Sequence, residues 1–369
     1  MALDLGIIGL PKSGKTTLFN AITGSNAQTS AFASGDEPNV AVVKVPDPRL
    51  DVLTGMFHPR KTTPADVKFT DVAGVSGKPV DKKEPISRQT LGFLSTMDAL
   101  VLVVRAFNSA SVPLPEGTDS IDPLRDIDTM MLEMAYSDLG IIERRLERIK
   151  GEIAKMKGAE REMREREQEV LSRISPALEE GTPIRSLGLN EDDEKAIRNY
   201  GFLTAKPVLI VANIGDDNLD QAGELEASMA SYKGESTDVI AIPAQLEMEM
   251  AQLSPEEGAE FRESLGMGPS RLDEVVSKSY GLLGLISFLT AGEDEVRAWT
   301  IRRGTVAQRA AGVIHSDLER GFIRAEVVHY DDLVAAGSIP ETKKRGTYRS
   351  EGKTYQVKDG DIMNILFNV

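Results

Sequence analysis

The chain opens on a short apolar run at residues 3–8, and comparable runs recur at 67–70, 99–104, 207–212 and 239–242. Such runs, separated by helical or loop stretches, are the pattern of buried strands in a mostly parallel sheet covered on both faces. A helix is predicted over residues 16–22. From about Ser137 the period changes: Leu139, Ile142, Leu146, Ile149, Ile153 and Met156 are spaced 3, 4, 3, 4, 3, a heptad seam. An almost wholly charged stretch, 160–169, follows, apolar spacing resumes at Val170, Ile174 and Leu178, and Thr182-Pro183 ends it. Two long helices folding back as an antiparallel coiled-coil hairpin are expected up to about Tyr200, inserted into the α/β domain. The charged stretch reads as a solvated helix face, and the hairpin as a candidate docking arm. From about Leu282, alternation at 295–301 and 322–330 brackets a helix at 305–314, and a hairpin-like pair is expected around Gly352 and Gly360. This makes a small α+β domain. The division is 1–136 with 201–281, then 137–200, then 282–369.

Composition narrows the class. At 369 residues, with 41% apolar and 27% charged residues, the chain suits two or three ordinary globular domains. It has no run near the ~20 apolar residues that span a bilayer, and MALDLGIIGL lacks a basic n-region, so neither a membrane partner nor a signal peptide is expected. Without cysteine there are no disulfides or thiolate metal sites, which fits a cytoplasmic protein. A net charge of −15 argues against indiscriminate nucleic-acid coating and leaves no specific DNA binding expected.

The chemistry lies in three short motifs. Gly9-Leu-Pro11-Lys12-Ser13-Gly14-Lys15-Thr16 matches the Walker A pattern, with a strand before it and a helix after. The backbone of Pro11 through Thr17 is expected to wrap the phosphates of a nucleoside triphosphate. Lys15 reaches the β- and γ-phosphates, and the Thr16 hydroxyl ligates Mg2+. Asp71-Val-Ala-Gly74 ends a strand: Asp71 is the second candidate for the metal, and Gly74 offers an N–H to the γ-phosphate. The next residue, where switch-type NTPases carry a water-orienting Gln, is Val75, which can supply no hydrogen bond. Asn213-Ile214-Gly-Asp216 occupies the base-reading position, with Ile214 where guanine-specific switches have Lys. A carboxylate at Asp216 can accept guanine N–H groups or merely cap a turn, so the base stays open. His58, His315 and His329 are poor catalytic candidates, and Trp299 reads as core.

These residues, with EPNVAVVKVPDPRLD, TAKPVLIVAN, TAGEDEVRAWTIRRGTVAQRAAGVIHSDLERGFIRAEVVHYDD and the final DGDIMNILFNV, resemble the YchF family of Obg-related P-loop NTPases along nearly the whole chain. The resemblance implies a Rossmann-like nucleotide domain, an inserted coiled-coil arm and a C-terminal TGS domain of β-grasp type. It also implies ATP hydrolysis in preference to GTP or alongside it, and association with ribosomes. The base loop is then completed by Ala244 and Gln245, after Pro243 in place of the usual serine. Several positions depart from the family pattern. Lys12 replaces an Asn that is thought to help hold potassium, so its ammonium is a candidate substitute for that cation. The first-switch Thr falls at Gly35, with Ser34 beside it. Residues 76–85 replace a glycine-rich second switch, and Leu114 stands near the position of a loop His. Phosphate binding is expected intact, with slow hydrolysis. The alternative is a nucleotide-binding module without meaningful turnover, acting through its TGS domain and arm. Arg302, Arg303, Arg309, Arg320 and Arg324 are either an RNA-binding surface on that domain or ordinary surface charge.

Overall fold

The computed structural model describes residues 3–24, 38–72, 88–114, 119–154 and 156–368. It divides into two compact units, Leu3–Ala41 with Lys68–Val275, and Val42–Val67 with Val276–Val369.

The first unit is built on a six-stranded sheet. Its strands are β1 (Asp4–Ile8), β2 (Asn39–Lys44), β4 (Asp66–Asp71), β5 (Ala99–Ala106), β6 (Val208–Ile214) and β7 (Thr237–Ile242), with β3 (Lys61–Thr63) belonging elsewhere. The order is β2-β4-β1-β5-β6-β7, and β1 pairs in parallel with β4 and β5, β5 with β6, and β6 with β7. Central strands ALVLVVRA and VLIVANI are buried almost end to end because helices cover both faces. The helices of this unit include α1 (Lys15–Thr23), α3 (Arg88–Thr96), α7 (Ala222–Ser228), α8 (Ala244–Met250) and α9 (Pro255–Ser264); α2 (Pro48–Phe57) belongs to the second unit, and α10 (Leu272–Leu282) runs from the first into the second.

The arm is α4 (Pro123–Ile153), α5 (Ala159–Glu179) and α6 (Glu191–Ile197). Its first helix starts well before the heptad seam: Asp122 accepts a bond from the Arg125 amide, Pro123 sits in the first turn, and 31 residues follow without interruption. Ile142, Ile149, Val170 and Ile174 are fully buried between the helices. Arg145 pairs with Glu167 at 2.7 Å and Arg164 with Glu152 at 3.5 Å, rising residue numbers on one helix meeting falling numbers on the other, so the pair is antiparallel.

The root of the arm is polar and buried. Asp138 of α4 accepts from the amides of Leu203 (3.0 Å) and Thr204 (2.8 Å) and from the Thr204 hydroxyl (2.7 Å). Burial pushes its pKa up to about 6, held back by those bonds. Two residues after Thr204, Lys206 Nζ donates to the carbonyls of Ser95 (3.0 Å) and Met97 (2.5 Å), capping the end of α3. Gly201, at φ 60°, lets the chain pass close by; a Cβ there would sit 2.5 Å from the Ser95 carbonyl oxygen.

The second unit is a mixed sheet of order β11-β10-β12-β8-β9-β3, with β8 (Leu285–Ala291), β9 (Glu295–Arg302), β10 (Phe322–His329), β11 (Arg349–Glu351) and β12 (Asp361–Phe367). The hairpin β8–β9 leads to helix α11 (Ala307–Ile314), and the last strand inserts between β10 and β8, parallel to β8, which is the β-grasp arrangement. Two details differ from the sequence reading. The strands near Gly352 and Gly360 do not pair with each other; β11 and β12 flank β10, because the nine residues between them let the closing strand reach the sheet's centre. Most of Val42–Val67, grouped above with the nucleotide domain, falls in the second unit, while its two ends run in β2 and β4 of the first unit's sheet. There β3 pairs in parallel with β9, Thr63 donates to Glu295 at 2.6 Å, and Arg49 of α2 reaches Asp359 at 2.9 Å. Trp299 is half-buried, with the Arg297 guanidinium 3.9 Å above its ring.

Candidate functional site

The candidate residues gather at the carboxyl ends of the parallel strands, where open α/β sheets leave room for ligands. Gly9 follows β1, Asp71 ends β4 opposite Ile7, Asn213 lies near the end of β6, and Ala244 opens α8 after β7.

The loop 9–14 has little steric freedom. A Cβ on Gly9 (φ 148°) would lie 2.2 Å from the Val103 carbonyl oxygen, and one on Gly14 (φ 94°) 2.1 Å from Asn213 Nδ2. Gly14 is also the N-cap of α1 and offers no side-chain acceptor, so no side-chain cap occupies the helix's first amides, an arrangement that suits an anion. Lys15 Nζ donates to the carbonyls of Gly9 (3.0 Å) and Leu10 (2.9 Å), folding back over the loop. Burial lowers its pKa to about 8, and the Asp71 charge works against that. Thr16 Oγ1 donates to Asp71 Oδ2 at 2.8 Å. An adjacent hydroxyl and buried carboxylate are a hard-oxygen pair of the kind Mg2+ takes, and the bond between them is the one an ion would replace. Pro11 and Lys12 are exposed and Thr17 is half-buried on α1. Lys12 holds φ 67°, a left-handed conformation shared, among described non-glycine residues, with His58 alone. Ser13 Oγ is buried and has no hydrogen-bond partner among the described residues.

Asn213 ties the two halves together. Its Nδ2 donates to the Ser13 carbonyl at 3.0 Å and its Oδ1 accepts from the Ala244 amide at 3.1 Å, so one 4%-exposed side chain sets the spacing between phosphate loop and base loop. Ile214 packs at 4% exposure in the core cluster with Ile8 and Val104. Asp216 is exposed in a 3-10 turn that has no side-chain cap, and Gln245 is exposed with its amide on Glu249 at 2.6 Å. The sequence reading missed Phe107, which lies 4.0 Å from a Cβ built on Gly14 and 3.4 Å from one built on Gly215. Buried Arg105 sits 4.8 Å from its ring and bonds to the Phe107, Val112 and Pro113 carbonyls. The usable signal was an aromatic just beyond β5, whose apolar run is broken by Arg105 alone. Gly74 and Val75, like Ser34, Gly35 and 76–85, lie outside the described residues. Leu114 is exposed, and His58, His315 and His329 cap helix ends in the second unit.

Among the described residues no helix is long and apolar enough to cross a membrane, and no group of three or more His, Cys, Asp or Glu forms a metal cluster. Residues 4–137 match a family described as 50S ribosome-binding GTPase, and residues 285–368 match the YchF GTPase C-terminal family, described as a protein of unknown function. The chain is 43% identical over 373 residues to the ribosome-binding ATPase YchF of Bacillus subtilis, all of both chains being covered. It is 39% identical over 371 residues to the protein of that name from Haemophilus influenzae, again over both full lengths. The solved structure of the Schizosaccharomyces pombe YchF GTPase superposes with a TM-score of 0.84 at 31% identity, covering 99% of this chain and 97% of that one.

Proposed function

Since the chain belongs to the YchF family, we propose that it is a slow, magnesium-dependent NTP hydrolase that takes ATP before GTP and docks on the ribosome according to the nucleotide it holds. The observation that carries this reading is the convergence of Lys15, Thr16 and Asp71 at one end of the parallel sheet, with Asn213 holding the loop's spacing. Lys15 exchanges its two carbonyl acceptors for β- and γ-phosphate oxygens, which places its charge where the transferring phosphoryl group develops negative charge. The loop amides and the N-terminus of α1 orient the phosphates. Thr16 and Asp71 are the residues that would hold Mg2+, which when bound neutralises phosphate charge.

The preference for ATP is supported by Ile214, an aliphatic side chain with no cationic stem to offer a guanine, and by the relatives' names. Asp216 weighs toward guanine, so the base is the part most exposed to test. Slow turnover follows from Val75 in place of the water-orienting residue. Parallel titrations of full-length protein with ATP and GTP, with Mg2+ and with chelator, test the reading. Tighter GTP binding defeats the preference, and single-turnover phosphate release indifferent to chelator defeats the metal dependence. Ribosome co-sedimentation that is the same with ADP, ATP and no nucleotide defeats the gating.

A further inference from the structure

We propose that the crevice between α8 and α9 is a docking site for a basic protein segment that presents one large apolar side chain; the ribosome reading above enters only in naming where such a segment resides. The crevice encloses about 310 Å3 against Met250, Ala251, Leu253 and Leu272, with buried Gly258 in its wall. Its polar lining is already engaged. Glu247, 1% exposed, takes both Arg262 nitrogens (3.1 and 2.6 Å) and the Ser270 hydroxyl (2.8 Å), and the Ser254 hydroxyl donates to Glu257 at 2.8 Å. None of these polar lining atoms is buried without a partner, so apolar contact and shape are what the crevice offers. The pair of half-buried Arg262 with buried Glu247 ties α9 to α8.

Outside the crevice the surface is apolar and then acidic. Leu253, Phe261 and Leu265 are 40–42% exposed. Residues 244–274 hold eight acids and two arginines. Both arginines are consumed, Arg262 by Glu247 and Arg271 by Glu226 and Glu274, while Glu256, Glu260 and Glu263 stay exposed. An apolar pit with a negative rim repels RNA and attracts a segment whose anchoring side chain is flanked by Lys or Arg. On a ribosome, that chemistry belongs to protein tails. The walls stand on the nucleotide site, since Asn213 holds the first amide of α8 and α8 packs along α1.

The test uses full-length protein and two synthetic peptides, lysine- and glycine-rich, with a central Leu or a central Ser. Fluorescence anisotropy is expected to show the Leu peptide bound about tenfold tighter. Gly258→Leu, which fills the crevice, brings the two peptides level. Gly258→Ala is the control: its Cβ meets only the Met250 carbonyl at 3.7 Å, so it keeps the difference, and ATP hydrolysis by both variants reports an intact fold. Equal affinity for the two peptides in wild type overturns the proposal, as does displacement of the Leu peptide by a single-stranded RNA oligonucleotide. If wild type discriminates between the peptides yet fails to sediment with ribosomes, the ribosome reading fails and the docking site stands.

Discussion

Two half-buried lysines in the first unit have similar immediate surroundings and opposite prospects. Lys15 and Lys206 each donate to two backbone carbonyls, each has its pKa lowered chiefly by burial, and each faces carboxylates that resist the shift. The difference is the helix end they serve. Lys206 sits at the carboxyl end of α3, where its charge completes the last turn and is satisfied. Lys15 sits at the amino end of α1, where a cation is unfavourable by itself and the vicinity calls for an anion. One ammonium closes a structure, and the other, on the function proposed above, serves a ligand.

The largest effect that tests this contrast is on turnover. Lys15→Ala is expected to slow single-turnover ATP hydrolysis by about 10³-fold, as losing one preorganised donor does elsewhere. Lys206→Met is expected to leave it within about twofold. An equal loss from both changes breaks the contrast, because Lys206 would then belong to the reaction.

The second test reverses the ranking. Lys206→Met strands the Ser95 and Met97 carbonyls, at about 1–3 kcal/mol of local stability. The chain is multi-unit, so hydrogen exchange of α3 and of residues 201–206 is the proper readout, rather than one melting temperature. Lys15→Ala removes a donor from carbonyls at a ligand site and is expected to change exchange there far less.

A third test uses protons. With Lys15 near 8 in the free protein and raised by bound phosphates, nucleotide binding takes up roughly 0.9 proton at pH 9. Affinity therefore falls toward tenfold per pH unit above 8. The free protein's stability moves the other way. An unfolded chain keeps this lysine protonated to 10.5, so the Lys15 contribution rises with pH from 8 to 10.5 and is lost as pH falls through 8. Calorimetry in buffers of different ionisation heat measures the uptake. Lys15→Arg, charged throughout, should abolish it, and Lys206→Met should leave it unchanged.

How much of this contrast was readable in advance follows from the kind of signal each lysine carries. Lys15 stands in a motif whose spacing encodes its surroundings, and the parallel strands announced themselves as apolar runs. Lys206 carries no pattern: a lone lysine before Pro207 reads as surface, and its burial depends on Ser95 and Met97, over a hundred residues away. Asp138 was hidden in the same way, inside a heptad seam that draws attention to Leu139 and Ile142. Strand β3, Lys-Thr-Thr, has no apolar alternation, so nothing local assigned it to the C-terminal sheet. Ile214 was legible as a departure from lysine, but its turn into the core was not.

The smallest expected effect concerns the third lysine of this region, which fits neither pattern. Lys12 is exposed, and it holds φ 67° where glycine would sit without cost. Lys12→Gly is thus expected to stabilise the free protein by about 1 kcal/mol. If the ammonium supplies charge beside the phosphates in place of a bound monovalent cation, the same change slows hydrolysis several-fold, so stability and activity move in opposite directions. Lys12→Asn separates strain from charge, since asparagine tolerates the left-handed region and carries none. Its hydrolysis should become responsive to potassium over sodium, while wild type and Lys12→Arg remain indifferent. A steep rise of wild-type turnover with potassium would show that Lys12 leaves the cation's place open, and the backbone strain at this position would then need another cause.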